Sequence, residues 1–242
     1  MNKQAIIIFS NDPVKDAEKK FSTAKNASDI FDRDIKNIIS AAYAGCDLIL
    51  STEKNSPLAD YQNITKVIFQ SGKGFGERFF DAISKTFQSG YNSVCIVGND
   101  TPSLTISDIR KSFKKISAEK TVIGPSQNGG FYLLTISKES FLQIDQNSFQ
   151  NIYFQSKKTL SHFKRLLKSS GLSIYTLSGK QDLNSHYDFS IFQEELRQLF
   201  VRGLHSCDEI FKKYHLFQFE RFLVSNLTKS FSFSLLMPPP SI

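Results

Sequence analysis

Short apolar runs alternate with amphipathic segments along this chain of 242 residues. Residues 5–10, 47–51, 65–70 and 93–98 are apolar runs bounded by polar loops, the pattern of strands buried on both faces. Residues 121–124, 131–136 and 173–177 read as further strands. Between them, residues 29–44 set Ile30, Ile35, Ile38, Ile39 and Ala42 on one helical face, and Gly45 ends the helix. Residues 77–89 turn Phe79, Phe80, Ile83 and Phe87 inward and stop at Gly90. Further helices are predicted over 107–116, with Ser107 as cap, and over 157–169. Residues 11–16 read as a polar loop, followed by a Lys-rich stretch to residue 22. Residues 189–202 and 208–228 read as helices, and the tail Met237-Pro238-Pro239-Pro240 as frayed.

Strands alternating with helices predict an α/β fold, with a mostly parallel central sheet and helices on both faces. No repeat or low-complexity linker divides the chain, so residues 1–202 are expected to form one domain. Residues 203–242 are expected to be a helical C-terminal extension packed on it. Ligands of such sheets bind beyond the carboxyl ends of the strands. That rule selects four loops: residues 11–16, 71–78, 99–102 and 179–184.

Composition narrows the class. With 40% hydrophobic and 22% charged residues the chain is neither disordered nor fibrous. No apolar run reaches membrane-span length, and the N-terminus enters a strand pattern too early for a signal peptide. Cys46, Cys95 and Cys207 follow no metal or CxxC spacing, so three reduced thiols and a cytoplasmic location are expected. The net charge of +7 is concentrated: between Arg110 and Ser170, eleven Lys/Arg face three acids, and the rest of the chain is near neutrality. Most of that surplus sits on two predicted helices, as a solvated face or as a patch that steers an anionic substrate. The basic–aromatic interleaving of a single-strand nucleic-acid binder is absent.

Four segments carry candidate chemistry. The apolar strand before Gly98-Asn99-Asp100-Thr101-Pro102 delivers Asp100 to the sheet edge, where a carboxylate binds Mg²⁺ or Mn²⁺ or merely caps its own turn. Gly124-Pro125-Ser126-Gln127-Asn128-Gly129-Gly130-Phe131-Tyr132 is either a plain turn or a loop bringing backbone amides to a substrate. Gly72-Lys73-Gly74-Phe75-Gly76-Glu77-Arg78 precedes a helix and offers N–H groups to an anion, yet lacks the P-loop ending. Glu77 and Arg78 read equally well as a surface pair. Asp182, with Asn184, is a second metal or base carboxylate or an ordinary loop residue. No nucleophile elbow is present, and the four histidines show no ligand spacing.

In this order the segments resemble a bacterial family of nucleotide-diphosphosugar-transferase-like proteins, glycosyltransferases associated with radical-SAM or selenoprotein domains. The matching stretches are Ala5–Phe9 with Pro13-Val14 and Lys19, Gly72 with Phe75-Gly76-Glu77-Arg78, Ile96–Leu104, Gly124–Leu134 and the Asp182 loop. The resemblance implies a GT-A fold, Rossmann-like, that binds a nucleoside diphosphate sugar and a divalent metal, Mg or Mn. It gives Asp100, Asn128 and Asp182 catalytic positions, with Asp100 and Asp182 at the metal. It gives Asn11, Pro13, Lys19, Gly76, Arg78 and Asn99 to the nucleotide, and Gly129, Gly130, Phe131 and Tyr132 to the sugar or acceptor. The family pattern Lys-Thr-Arg-Leu is replaced here by Lys19-Lys20-Phe21-Ser22, and acids of the pattern by Asn128 and Asn184. The expected activity is metal-dependent sugar transfer to an unidentified acceptor. The alternatives are nucleotidyl transfer from a nucleoside triphosphate, or a catalytically degenerate relative that only binds a ligand or partner.

Overall fold

The computed structural model describes residues 3–20, 38, 46–56, 58, 63–154, 156–185, 187–188 and 191. The chain divides into two units, Met1–Phe192 and Gln193–Ile242, and the described residues all lie in the first. The predicted helices over 189–202 and 208–228, the C-terminal extension and its tail, and Cys207 lie outside the described residues. So does the predicted 29–44 helix, apart from Ile38, which is helical and buried.

Seven strands form one sheet: β1 (Gln4–Phe9), β2 (Cys46–Thr52), β3 (Lys66–Phe69), β4 (Ser93–Val97), β5 (Lys120–Pro125), β6 (Phe131–Ser137) and β7 (Ser173–Thr176). Their order is β3-β2-β1-β4-β6-β5-β7. β6 runs antiparallel to both neighbours, and the remaining pairs are parallel. The short loop between β5 and β6 is what reverses the chain: Ser126 N–H donates to the Gly130 carbonyl, and Gly129 turns through φ +84°, a left-handed geometry that favours glycine.

Six helices are described: α1 (Pro13–Lys20), α2 (Phe75–Gln88), α3 (Ile106–Lys115), α4 (Lys138–Leu142), α5 (Gln146–Gln150) and α6 (Thr159–Ser169). Period-two alternation divides the core between the two sheet faces. Ala5, Ile7, Ile49, Val94 and Ile96 pack with Phe79, Ile83, Phe87, Phe141, Phe149 and Phe163, from α2, α4, α5 and α6. Ile6, Ile8, Leu48, Leu50, Cys95 and Val97 pack with Ile38, Ile109 and Phe113. Most of the described phenylalanines belong to this packing, with edge-to-face pairs such as Phe149–Phe163 at 5.4 Å. Cys46 and Cys95 are buried, and burial pushes the Cys95 thiol up to about 12, which makes it inert.

Two sequence expectations change, and two short helices are added. Residues 13–16 are helical rather than loop: Pro13 opens α1 at the one helical turn that tolerates its missing N–H, and Asp16 N–H bonds the Asp12 carbonyl. The cap of α3 is Thr105, not Ser107; Thr105 and Asp108 exchange side-chain and backbone bonds in a capping box. The two five-residue helices α4 and α5 were not predicted, since one turn and a half leaves no readable period. Among the described residues no helix is long and apolar enough to cross a membrane.

Candidate functional site

The carboxyl ends of β1 and β4 and the loops that follow β5 and β7 open on one cavity of about 710 Å³. All four loops selected from the sequence contribute to its lining: Asn11 and Asp16, Arg78, Asn99 and Asp100, and Asp182 and Asn184. The hairpin loop adds Ser126, Asn128, Gly130, Phe131 and Tyr132.

Backbone bonds hold these loops together. Leu183 N–H donates to the Asp100 carbonyl at 2.8 Å, Lys180 N–H to the Pro125 carbonyl at 3.0 Å, and Gln127 N–H to the Lys180 carbonyl at 3.0 Å. Lys180 Nζ pairs with Asp108 Oδ2 at 3.1 Å and donates to the Ser103 carbonyl at 2.6 Å, tying the start of α3 to the same loop. Asp188 accepts from Gln181 Nε2, Asn184 N–H and Ser185 Oγ, so this carboxylate shapes the loop around Asn184. The rim is thus built from strand exits cross-linked by main chain, a rigid support for functional groups.

Asp100 and Asp182 occupy different environments. Asp100 Oδ2 accepts from Lys20 Nζ at 2.8 Å, across 80 residues of chain. Asp182 is 8% exposed and its Oδ1 accepts from Thr101 Oγ1 at 2.7 Å. Burial pushes the Asp182 carboxyl up to about 7, the Asp100 charge adds to this, and bonds from Ser126 and Thr101 and the Lys20 charge act against it. Burial by itself would lower the Lys20 ammonium. The charge and hydrogen bond of Asp100, with the charges of Asp16 and Asp182, outweigh that, and Lys20 titrates above its ordinary value. Of the cavity-lining side chains, Asn99 Nδ2, at a residue 5% exposed, and Arg78 Nε are buried and find no partner among the described residues. A buried donor left unsatisfied costs roughly 1–3 kcal/mol until an acceptor arrives.

The opposite wall is aromatic. Phe9, Phe75, Phe79, Phe131 and Phe154 line it, and Phe9 sits 5.4 Å from Phe75, ring centre to ring centre.

Other predicted residues have structural duties. The N–H groups of the glycine-rich loop do not await an anion: Glu77 Oε2 already accepts from Lys73 and Gly74. Glu77 and Arg78 are therefore no surface pair; one caps α2 and the other lines the cavity. Gly76 lies outside the lining, and a Cβ there would strike the Gln150 carbonyl, so it sets the approach of α2 to α5. Gly129 also lies outside the lining, packed on the Lys157 backbone. Tyr132 reaches the cavity, but its ring fills the space over Gly124 and its hydroxyl donates to the Ser178 carbonyl at 3.1 Å. Asn128 Nδ2 lies 3.5 Å from the Asp182 carbonyl. Pro13 and Lys19 are on α1, with side chains outside the described set. Sequence reasoning missed Asp188, which the Ser185-x-x-Asp188 spacing signals. It also missed the reach of Lys20, which no local pattern signals.

The donors present do not make a cage for the expected Mg²⁺ or Mn²⁺. Among the described residues no three His, Cys, Asp or Glu side chains converge as metal ligands. Asp100 already holds an ammonium, and one Asp182 oxygen holds the Thr101 hydroxyl.

Solved structures share this fold. A protein of Desulfovibrio desulfuricans G20, provisionally named a nucleotide-diphospho-sugar transferase, superimposes with a TM-score of 0.70 at 20% identity, over 93% of this chain and 98% of that one. A nucleotidyl transferase from Methanothermobacter thermautotroptrophicus gives 0.54 at 12% identity, over 82% and 100%. A Mycobacterium tuberculosis H37Rv protein in complex with manganese gives 0.52 at 10%, over 79% and 98%. No curated protein matches the sequence. Residues 37–156 match the family described as uncharacterized protein conserved in bacteria (DUF2064), and the chain shares the mostly parallel, Rossmann-like sheet of these solved structures.

Proposed function

We propose that this protein transfers a sugar from a nucleoside diphosphate sugar bound in the cavity at the carboxyl edge of the sheet. The observation that carries this reading is a cavity at the carboxyl edge of the sheet lined by three basic side chains, Lys20, Arg78 and Lys157, with Asn99 beside them. Basic donors want anionic oxygens, and a diphosphate supplies several. The half-buried Phe9, Phe75 and Phe131 offer apolar faces to the ring systems of such a donor. The nucleotide-linked names of two neighbours on this fold agree with it.

The roles follow from environment. Lys157 and Arg78 balance the charge of the diphosphate, and Asn99 donates to a phosphate oxygen. Positive groups aimed at the leaving diphosphate stabilise the charge that develops on it. Asp182, buried and titrating near neutrality, takes the proton of an acceptor hydroxyl. Thr101 and Ser126 orient its carboxyl. The acceptor is a small molecule or chain end bearing that hydroxyl.

Incubating the protein separately with nucleoside diphosphate sugars and nucleoside triphosphates, and following what leaves, tests the reading. Release of a nucleoside diphosphate, abolished in Asp182→Asn, is expected. Pyrophosphate release from a triphosphate would replace sugar transfer by nucleotidyl transfer.

A further inference from the structure

One ammonium at the cavity rim is shared among carboxylates. Lys20 Nζ lies 2.8 Å from Asp100 Oδ2, and the charges of Asp16 and Asp182 act on it as well. The two paired side chains keep only 21% and 23% of their exposure, so water screens the contact in part. Lys20 is the last residue of α1, and Asp100 leaves the central strand β4; the pair bolts the helix to the sheet edge. Lys20 also stands where the resembled pattern has Thr, next to Phe21 in place of Arg.

We propose that Lys20 is the resident cation of this site, seated beside Asp100 where a divalent ion would sit, so that the cavity receives a diphosphate without a metal. An ammonium seated on Asp100 Oδ2 repels a divalent ion at the same carboxylate and so disfavours its binding there. The substitution of one for the other has a consequence. A divalent ion on one carboxylate leaves a surplus positive charge for the phosphates, whereas the Lys20–Asp100 pair is neutral. Attraction for the anion then falls to Arg78 and Lys157, and direction to Asn99 Nδ2. Without Lys20, the Asp100 carboxylate would repel the diphosphate and recruit a metal. This charge arrangement rests on the transfer reading only for the identity of the anion.

Titration of the full chain with Mn²⁺, followed by the electron paramagnetic resonance of the free ion, tests the proposal. Wild type is expected to leave the signal as buffer does. Lys20→Met and Lys20→Gln are expected each to retain one ion, which Lys20→Met combined with Asp100→Asn loses again. Lys20→Arg is expected to behave as wild type. Retention of Mn²⁺ by wild type, or no retention by folded Lys20→Met and Lys20→Gln, overturns the proposal. Calorimetry with inorganic pyrophosphate in EDTA gives a second readout. Wild-type binding is expected to be indifferent to EDTA, and Lys20→Met to bind about tenfold more weakly until Mn²⁺ is added. Wild-type binding that requires Mn²⁺ also overturns it. A wild type that binds no pyrophosphate under either condition counts against the transfer reading, and the Mn²⁺ titration still decides the role of Lys20.

Discussion

The Thr101 hydroxyl donates to Asp182 Oδ1 at 2.7 Å, joining the exit of β4 to a loop 81 residues further along the chain. Both residues are buried, at 4% and 8% exposure. A carboxyl in such a place is held by its neighbours and resists ionisation, and its protonation is coupled to folding.

That coupling has a definite sign. The folded Asp182 titrates near 7 against an ordinary value of 3.8. Between about pH 4 and pH 7 the folded chain keeps a proton that the unfolded chain has lost, so this group destabilises progressively as pH rises and levels off above the folded value. Urea unfolding at pH 5 and pH 8 should show wild type losing stability relative to Asp182→Asn, by on the order of 2–4 kcal/mol. Parallel behaviour of the two proteins would show that Asp182 ionises normally.

Removing the Thr101 hydroxyl takes away a bond that favours the ionised carboxyl. Thr101→Val should therefore move the acidic limb of the transfer rate upward in pH while leaving binding of the sugar donor largely unchanged. A pH–rate profile at saturating donor is the check.

Close packing at Gly76 gives a prediction of stability alone. A methyl group there would meet the Gln150 carbonyl and the Phe154 ring. Gly76→Ala should cost about 1–3 kcal/mol in chemical denaturation by overpacking α2 against α5. A neutral result would mean that the short helix α5 moves aside freely.

The cap of α3 can be tested in the same way. Thr105→Ala removes the acceptor for the Asp108 N–H and should cost about 1 kcal/mol, whereas Ser107→Ala should be nearly silent.

The strands were legible because runs such as Ile6-Ile7-Ile8 and Val94-Cys95-Ile96-Val97 are apolar at every position, which only a sheet covered on both faces requires. The convergence of four loops was legible from the rule that such sheets bind at their carboxyl edge, and it placed Asn11, Arg78, Asn99, Asp100 and Asp182 around one cavity. The partner of each side chain was not legible. Sequence spacing cannot show that Lys20 reaches Asp100 across 80 residues, or that Glu77 fills the amides of its own loop, since both depend on tertiary approach. The packing of Gly76 and Gly129 was not legible for the same reason: each lies against neighbouring backbone, visible only once α5 and the Lys157 segment are placed.

The central claim is that the cavity between Asn99 and Arg78 binds the diphosphate of a nucleotide. Calorimetric titration of wild type and Arg78→Ala against a panel of nucleoside diphosphates and their sugars tests it most directly. At least one ligand should bind wild type, and weaken tenfold or more, about 1.4 kcal/mol, in Arg78→Ala. Absence of binding across the panel, or equal affinity in the two proteins, would contradict the account.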